Sequence, residues 1–171
     1  GCAVEVVPLP SVEDRVARRM AHETLIQTKL EAYDVEAIVL SGWMRLLTAE
    51  FVAQWEGRLV NIHPSLLPRH GGRGMYGDRV HAAVLEAGDA ESGCTVHAVD
   101  EIYDHGVVLL QRRCPVEAGD TIDTLAARVF GEECRALPDA IGAIARGKIR
   151  LDGGREDPAD LGDSTGIGDE S

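Results

Sequence analysis

The chain has 171 residues, a net charge of −12 and 44% hydrophobic residues, which predicts one globular domain with its own core. The negative charge argues against a nucleic-acid partner, and no apolar stretch is long enough to favour a membrane span. The four cysteines form neither a CxxC pair nor a metal-ligand spacing, so we expect reduced thiols, a cytoplasmic protein and no metal site.

Hydrophobic periodicity predicts alternating strands and helices along the chain. The predicted strands are 3–9, 35–42, 58–63, 93–100 and 106–116. The predicted helices are 11–33 with Ser11 as N-cap, 48–55 capped by Thr48, 76–87, and 121–147 with a break near Pro138. The run VEAIVLSG at 35–42 is apolar throughout, as in a strand buried on both faces. The alternation indicates an α/β fold, with a mostly parallel sheet and helices on both faces.

The last part of the chain, 152–171, has a different composition. It holds seven acidic residues, one arginine and five glycines, and so contributes −6 of the net charge of −12. Such a segment cannot bury enough apolar surface to offset its ordering entropy. We therefore predict a folded domain over 1–151 and a disordered acidic tail over 152–171.

The stretch NIHPSLLPRHGG at 61–72 raises the first functional question. A spacing of two puts Asn61 and His63 on one face of a strand, and ligands of parallel sheets bind beyond the strand ends. The loop DEIYDHG adds candidate carboxylates from Asp100, Glu101 and Asp104. An amide for an oxyanion, a histidine for proton movement and a carboxylate beside it suit acyl or formyl transfer. On the residues alone, a His63 that only caps its strand and bonds the next loop is an equal alternative.

Three segments, in this order, resemble the glycinamide ribonucleotide transformylase family: GWMRLL, GRLVNIHPSLLP and GCTVHAVDEIYDHGVVLLQ. The resemblance runs from Cys2 to Leu151 and implies a Rossmann-like formyltransferase fold. It implies an enzyme that transfers a formyl group from 10-formyltetrahydrofolate to the amine of 5-phosphoribosylglycinamide in purine (IMP) biosynthesis. It also implies small-molecule substrates and no metal, and it is compatible with a homodimer.

The resemblance assigns roles to particular positions. The catalytic residues fall on Asn61, His63 and Asp104, with Asp104 preferred to Asp100. The folate-binding residues fall on Arg19, Met44, Arg45, Leu46, Leu47 and Asn61. Glu133 matches a carboxylate that contacts the ribonucleotide.

Each of these assignments has a plainer alternative. Core packing would explain an isolated methionine or leucine, and helix surface would explain Glu133. Asp104 could cap its own loop by accepting from the amide of His105 or Gly106. The glycine-rich segment 69–81 is a candidate lid or a plain connection, and His97 is expected to be a buried core histidine.

The start of the chain departs from the family pattern. Family members begin with a strand, a Gly-rich phosphate-binding loop, a helix and a second strand, and nothing similar precedes GCAVEVVPLP. We therefore expect the first strands and the phosphate loop to be missing, and the edge of strand 35–42 to be open. The alternatives to the transferase are a formyltetrahydrofolate deformylase, a methionyl-tRNA formyltransferase, which the acidic tail disfavours, and a non-catalytic folate-binding remnant.

Overall fold

A computed structural model describes residues 2–151, so the predicted tail at 152–171 lies outside the described residues. The helices are α1 (Arg15–Ala32), α2 (Ala49–Gln54), α3 (Asp78–Ala87) and α4 (Ile122–Ala145). The strands are β1 (Ile38–Leu40), β2 (Leu59–His63), β3 (Glu91–Ala98) and β4 (Val108–Pro115). In this part of the chain, no helix combines the length and the apolar character needed to cross a membrane.

The strands form one open sheet in the order β1-β2-β3-β4. β1 and β2 pair in parallel, but β2 with β3 and β3 with β4 pair antiparallel. The sheet is therefore mixed among the described strands, rather than mostly parallel as the sequence pattern predicted. The connection 99–107 carries no crossover helix, and a parallel pair would require one between β3 and β4.

Helices cover both faces of the sheet, as predicted. Val60 of β2 belongs to a core shared with α3 and α4, whose members include Val84, Leu125 and Val129. Leu59 belongs instead to a second core with Phe51 and Trp55 of the α2 region. Because successive side chains of a strand point to opposite faces, Asn61 and His63 share the face of Leu59.

The predicted strand at 3–9 does not form, and this segment runs beside α1 instead. The carbonyl of Val7 accepts a hydrogen bond from His22 Nε2 at 2.9 Å, and the Glu5 carboxylate accepts one from the Tyr33 hydroxyl at 2.8 Å. Val4 and Val6 are 87% and 83% exposed. The alternating valines therefore do not pair with a described strand. The segment is held instead by contacts with the side chains of His22 and Tyr33.

The N-cap of α1 and the continuity of α4 differ from the prediction. α1 is capped by Asp14, whose side chain accepts from the amide of Ala17 at 2.8 Å, and not by Ser11. Both residue types cap well, so the sequence left the choice open. α4 continues through Pro138 without a break. The proline removes only one N–H donor, and Ala136 and Ala140 on either side of it are fully buried in the core.

β1 is shorter and more open than expected. It has three residues, pairs only with β2 among the described strands, and leaves Val39 37% exposed. The prediction of a strand buried on both faces is therefore wrong, whereas the prediction of an open edge along this strand is confirmed.

Candidate active site

A cleft of about 1200 Å³ lies at the end of β2 and includes Asn61 and His63 in its lining. All nine residues assigned by resemblance line it: Arg19, Met44, Arg45, Leu46, Leu47, Asn61, His63, Asp104 and Glu133. They come from α1, the β1–α2 connection, β2, the β3–β4 connection and α4. The fold thus brings together residues that are up to 114 positions apart in the sequence, from Arg19 to Glu133.

The Asn61 amide is held by a histidine on the neighbouring strand. Asn61 lies opposite His97 in the β2–β3 pair, and the Asn61 Nδ2 to His97 Nε2 distance is 3.1 Å. His97 Nδ1 donates to the carbonyl of Ala98 at 2.8 Å, so Nε2 is the unprotonated nitrogen and accepts from Asn61. Burial lowers the pKa of His97, which keeps the ring neutral. One N–H of the Asn61 amide is therefore used internally, and the second is available to the cleft.

His63 is buried, and both ring nitrogens face protein acceptors. Nε2 lies 2.9 Å from the carbonyl oxygen of His70, and since a carbonyl can only accept, Nε2 carries a proton. Nδ1 lies 3.6 Å from Asp104 Oδ2. This leaves Nδ1 as the nitrogen that can gain or lose a proton at the cleft. His63 does bond the following loop, as the plainer alternative held, but it also faces a carboxylate inside the cleft.

Asp104 does not cap its own loop. Its Oδ2 accepts from the amide of Gly72 at 2.8 Å, and Oδ1 lies 3.8 Å from His97 Nε2. Asp100 is the residue that organises the loop, because its carboxylate accepts from the amide of Ile102 and contacts His105 Nδ1, both at 2.8 Å. The structure therefore brings Asp104, and not Asp100, next to His63.

Asp104 follows a strand that is antiparallel to β2, whereas the sequence pattern predicted a mostly parallel sheet. Because β3 is antiparallel to β2, Ala98 lies opposite Val60, near the start of β2. The connection 99–107 must then fold back over the sheet to reach the end of β2. Gly106 allows this close return, since an added Cβ there would lie 1.8 Å from the carbonyl oxygen of Ala98.

A buried threonine anchors the turn after β2. The Thr95 hydroxyl donates to the Ser65 carbonyl at 2.6 Å and accepts from the amide of Leu67 at 3.0 Å. Gln111 Nε2 donates both to the same hydroxyl and to the carbonyl of Leu67, at 2.9 Å each. The backbone that follows His63 is thus fixed from β3 and β4, with Thr95 fully buried.

The proposed folate-binding segment has a different character. Within the described residues, the backbone groups of Met44–Leu47 have no hydrogen-bond partner. Met44 is 73% exposed at the cleft, so core packing does not explain it, whereas Leu47 is buried in the core with Phe51. Free backbone donors and acceptors beside an apolar wall suit a flat heterocycle such as a pteridine.

The rim of the cleft near α1 is positively charged. A side cavity of about 390 Å³ shares Arg19, Met44 and Arg45 with the cleft, and Arg15 and Arg18 also line it. None of these four arginines forms an ion pair within the described part of the chain. The chain is acidic overall, so this concentration of unpaired cations suits an anionic group such as the acidic tail of a folate.

Glu133 lies on α4 at the opposite wall of the cleft. It is half-buried, and burial raises the pKa of its carboxyl group. Because Glu133 lines the cleft, it is more than a residue of the solvent-exposed helix surface. A carboxylate there can accept hydrogen bonds from a polar substrate.

Two contributors were missed by the sequence analysis. His97 was expected only as a core residue, and it is buried, but it also orients Asn61. His70 was not singled out, yet its carbonyl fixes the proton on His63. The strand register of Asn61 opposite His97 depends on the antiparallel pairing, so no local pattern could have revealed the first contact.

Comparisons with known proteins place the chain in a family. Residues 3–141 match the family described as Formyl transferase, so the chain belongs to the formyl transferase family. It is 43% identical over 133 residues to the trifunctional purine biosynthetic protein adenosine-3 of Gallus gallus, covering 78% of this chain and 13% of that protein. It is 40% identical over 152 residues to the chloroplastic phosphoribosylglycinamide formyltransferase of Vigna unguiculata, covering 88% of this chain and 48% of that protein. The chain thus spans less than half of each of these two relatives.

Solved structures agree with this family and confirm the Rossmann-like α/β class. The phosphoribosylglycinamide formyltransferase of Coxiella burnetii superposes with a TM-score of 0.74 at 33% identity, over 88% of this chain and 70% of that one. The enzyme of the same name from Brucella melitensis gives 0.67 at 45% identity, over 74% and 62%. A formyltetrahydrofolate deformylase from Pseudomonas syringae gives 0.71 at only 20% identity, over 84% and 45%, which is a likeness of fold alone.

Proposed function

We propose that residues 1–151 form a formyltransferase domain that moves a formyl group from 10-formyltetrahydrofolate to the amine of 5-phosphoribosylglycinamide. The observation that carries this proposal is the arrangement of Asn61, His63 and Asp104 in one cleft, with His63 Nδ1 3.6 Å from Asp104 Oδ2 and the Asn61 amide held by His97. The printed names of the relatives support this choice of substrates. The homodimer and the cytoplasmic location stay predictions.

The residues have distinct tasks in this reaction. As the substrate amine bonds to the formyl carbon, negative charge develops on the formyl oxygen, and the free N–H of Asn61 donates to it. A protonated His63 adds positive charge nearby, and the Asp104 carboxylate stabilises that positive charge. When the bond between the formyl carbon and the folate nitrogen breaks, the proton lost by the attacking amine ends on that nitrogen. His63 thus gains and loses no proton over the whole reaction.

The ligand sites are proposed from the chemistry of the cleft walls. The free backbone groups of Met44–Leu47 would bind the folate heterocycle, and Arg19 and Arg45 would bind its acidic tail. Glu133, on the opposite wall, would accept hydrogen bonds from the ribonucleotide. The two substrates would then meet above Asn61 and His63.

A product assay separates this function from its alternatives. The protein is supplied with 10-formyltetrahydrofolate in the presence and absence of 5-phosphoribosylglycinamide, and formylglycinamide ribonucleotide, formate and free folate are quantified. We expect formylated ribonucleotide, with little formate when the amine is present. Formate release that is independent of the amine would indicate a deformylase. Folate binding with neither product would identify a non-catalytic binding protein.

A further inference from the structure

The segment 69–72 joins the two central groups of the candidate active site. The His70 carbonyl accepts from His63 Nε2 at 2.9 Å, and two residues later the Gly72 amide donates to Asp104 Oδ2 at 2.8 Å. One short piece of backbone therefore sets both which nitrogen of His63 carries the proton and how the carboxylate of Asp104 is turned. A displacement of this segment would therefore change the hydrogen bonds of both His63 and Asp104.

The inner side of the segment packs closely. The Ser65 hydroxyl donates to the Arg69 carbonyl at 2.6 Å, so two successive carbonyls, of Arg69 and His70, point toward the turn after β2. At Gly71, an added Cβ would lie 2.4 Å from Leu67 Cδ2 and 3.3 Å from Asp104 Cβ. Glycine therefore permits the segment to pack closely against Leu67, with Asp104 beside it.

The outer side of the segment is held by one carboxylate. Asp89 Oδ2 lies 2.7 Å from His70 Nε2, and Oδ1 contacts the Arg69 guanidinium. The two side chains are adjacent in sequence and would point apart in an extended strand. They converge because His70 has a φ of +52°, a backbone conformation that is uncommon for residues other than glycine.

Asp89 lies at the C-terminal end of α3. It follows Gly88, the C-cap of α3, and its amide donates to the carbonyl of Val84 at 3.3 Å. Its side chain is 8% exposed although it is a carboxylate, and it lies at the helix end where the macrodipole disfavours negative charge. A buried carboxylate at this position gains strongly from cationic and N–H partners, and the 69–72 segment supplies both.

We propose that Asp89 is a positioning residue for the transfer reaction: through His70 and Arg69 it holds the 69–72 segment that orients His63 and Asp104. The inference rests on the proposed function. Asp89 does not line the cleft and touches no substrate, so its effect must pass through the segment. Losing it should slow the chemical step and leave substrate binding nearly unchanged.

The test combines kinetics with NMR of the histidine rings. In Asp89→Ala we expect kcat to fall five- to twentyfold while both KM values stay within twofold. In ¹⁵N-edited spectra of the parent, neutral His63 should be the Nε2–H tautomer, and the variant should show a mixture of both tautomers. His22 serves as an internal control, because its Nε2 proton is bound by the Val7 carbonyl and not by the segment or by Asp104. Glu91→Ala is the matched variant, since it removes a carboxylate two residues away that pairs with the exposed Arg113.

A second variant covers the case in which Asp89→Ala does not fold. In His70→Asn the side chain is too short to reach Asp89 in the same way, but asparagine tolerates a positive φ. We expect the same loss of kcat and the same mixed tautomers of His63. A folded variant with an unchanged His63 tautomer and unchanged kcat would overturn the inference. If the His63 tautomer shifts but the parent transfers no formyl group, the positioning role stands and the proposed function fails.

Discussion

The two halves of the cleft are built in opposite ways. Around β2, the polar groups are buried or half-buried and already paired: Asn61 with His97, His63 with the His70 carbonyl, and Asp104 with the Gly72 amide. Around the β1–α2 connection, Met44 is largely exposed, and the neighbouring backbone groups have no partner within the described residues.

This contrast separates chemistry from binding. Groups that act on a transition state gain from being fixed before the substrate arrives, because their reorganisation then costs nothing during the reaction. Groups that bind a substrate must keep their donors and acceptors free for it. Substitutions in the paired half should therefore change kcat, whereas substitutions in the unpaired half should change KM.

The largest effects are expected at Asn61 and His63. Asn61→Ala removes the donor to the developing oxyanion, and His63→Ala removes the positive charge beside it. Loss of one such donor typically raises the barrier by about 3 kcal/mol, which is about a hundredfold in rate. Steady-state kinetics measure the effect, with thermal unfolding as a check on the fold. His105→Ala, an exposed histidine in the neighbouring loop, is the control and should keep the parent rate. Near-parent turnover in either active-site variant would remove that residue from the mechanism.

A smaller loss is expected for Asp104→Asn. Asparagine retains an oxygen for the Gly72 amide and tolerates the φ of +53° at this position, so the loop should keep its shape. The protonated form of His63 loses its counter-charge, and kcat should fall on the order of tenfold to a hundredfold, a part of what proton transfer contributes. Asp100→Asn is the matched control in the same loop. If kcat drops in Asp100→Asn and not in Asp104→Asn, the roles of the two aspartates are reversed.

In the unpaired half, Arg19→Gln and Arg45→Gln should act on binding alone. Arg45 is exposed and Arg19 is half-buried, so each substitution removes a solvent-accessible cation from the rim. Charge pairs at such positions contribute roughly 0.2–1 kcal/mol, so KM for the folate should rise about two- to fivefold. The difference from the parent should shrink as salt is added, because screening weakens exposed charges. Arg113→Gln, which pairs with Glu91 away from the cleft, is the control. A fall in kcat at constant KM would contradict the assignment of these arginines to the binding half.

The sequence predicted most of this site but not how it is assembled. Asn61 and His63 could be placed on one face because strand geometry has a period of two, and that inference needs no tertiary information. Asp104 was selected by resemblance, and its contact with His63 depends on a loop that folds back from an antiparallel strand. Strand direction follows from long-range pairing, which hydrophobic periodicity does not encode.

Local sequence patterns also gave wrong predictions where contacts with other parts of the fold determine the local structure. The valines of 3–9 alternate as a strand would, but a strand forms only beside an edge that accepts it, and this segment contacts α1 instead. Pro138 signals a helix end in isolation, yet packing on both sides of it keeps α4 intact. Ser11 and Asp14 are both good caps, and only the structure distinguishes them.

The smallest expected effect concerns stability at Glu133, where a binding group is held in a partly buried position. Burial raises the pKa of Glu133 above its ordinary value of 4.5, so the folded protein disfavours the ionised form. At neutral pH the ionised carboxylate therefore costs stability, whereas below about pH 4.5 the group is protonated in both folded and unfolded states and costs nothing.

Glu133→Gln should consequently raise Tm at pH 7, and the gain should fade as the pH drops through the raised pKa toward 4.5. The same variant should raise KM for the ribonucleotide if the carboxylate accepts its hydrogen bonds, so stability and binding should change in opposite directions. Calorimetry at pH 7 and pH 4 measures the first effect and kinetics the second. Asp123→Asn, which changes an exposed acid in the first turn of α4, is the control. An equal Tm shift at both pH values would mean that ionisation of Glu133 is not its cause.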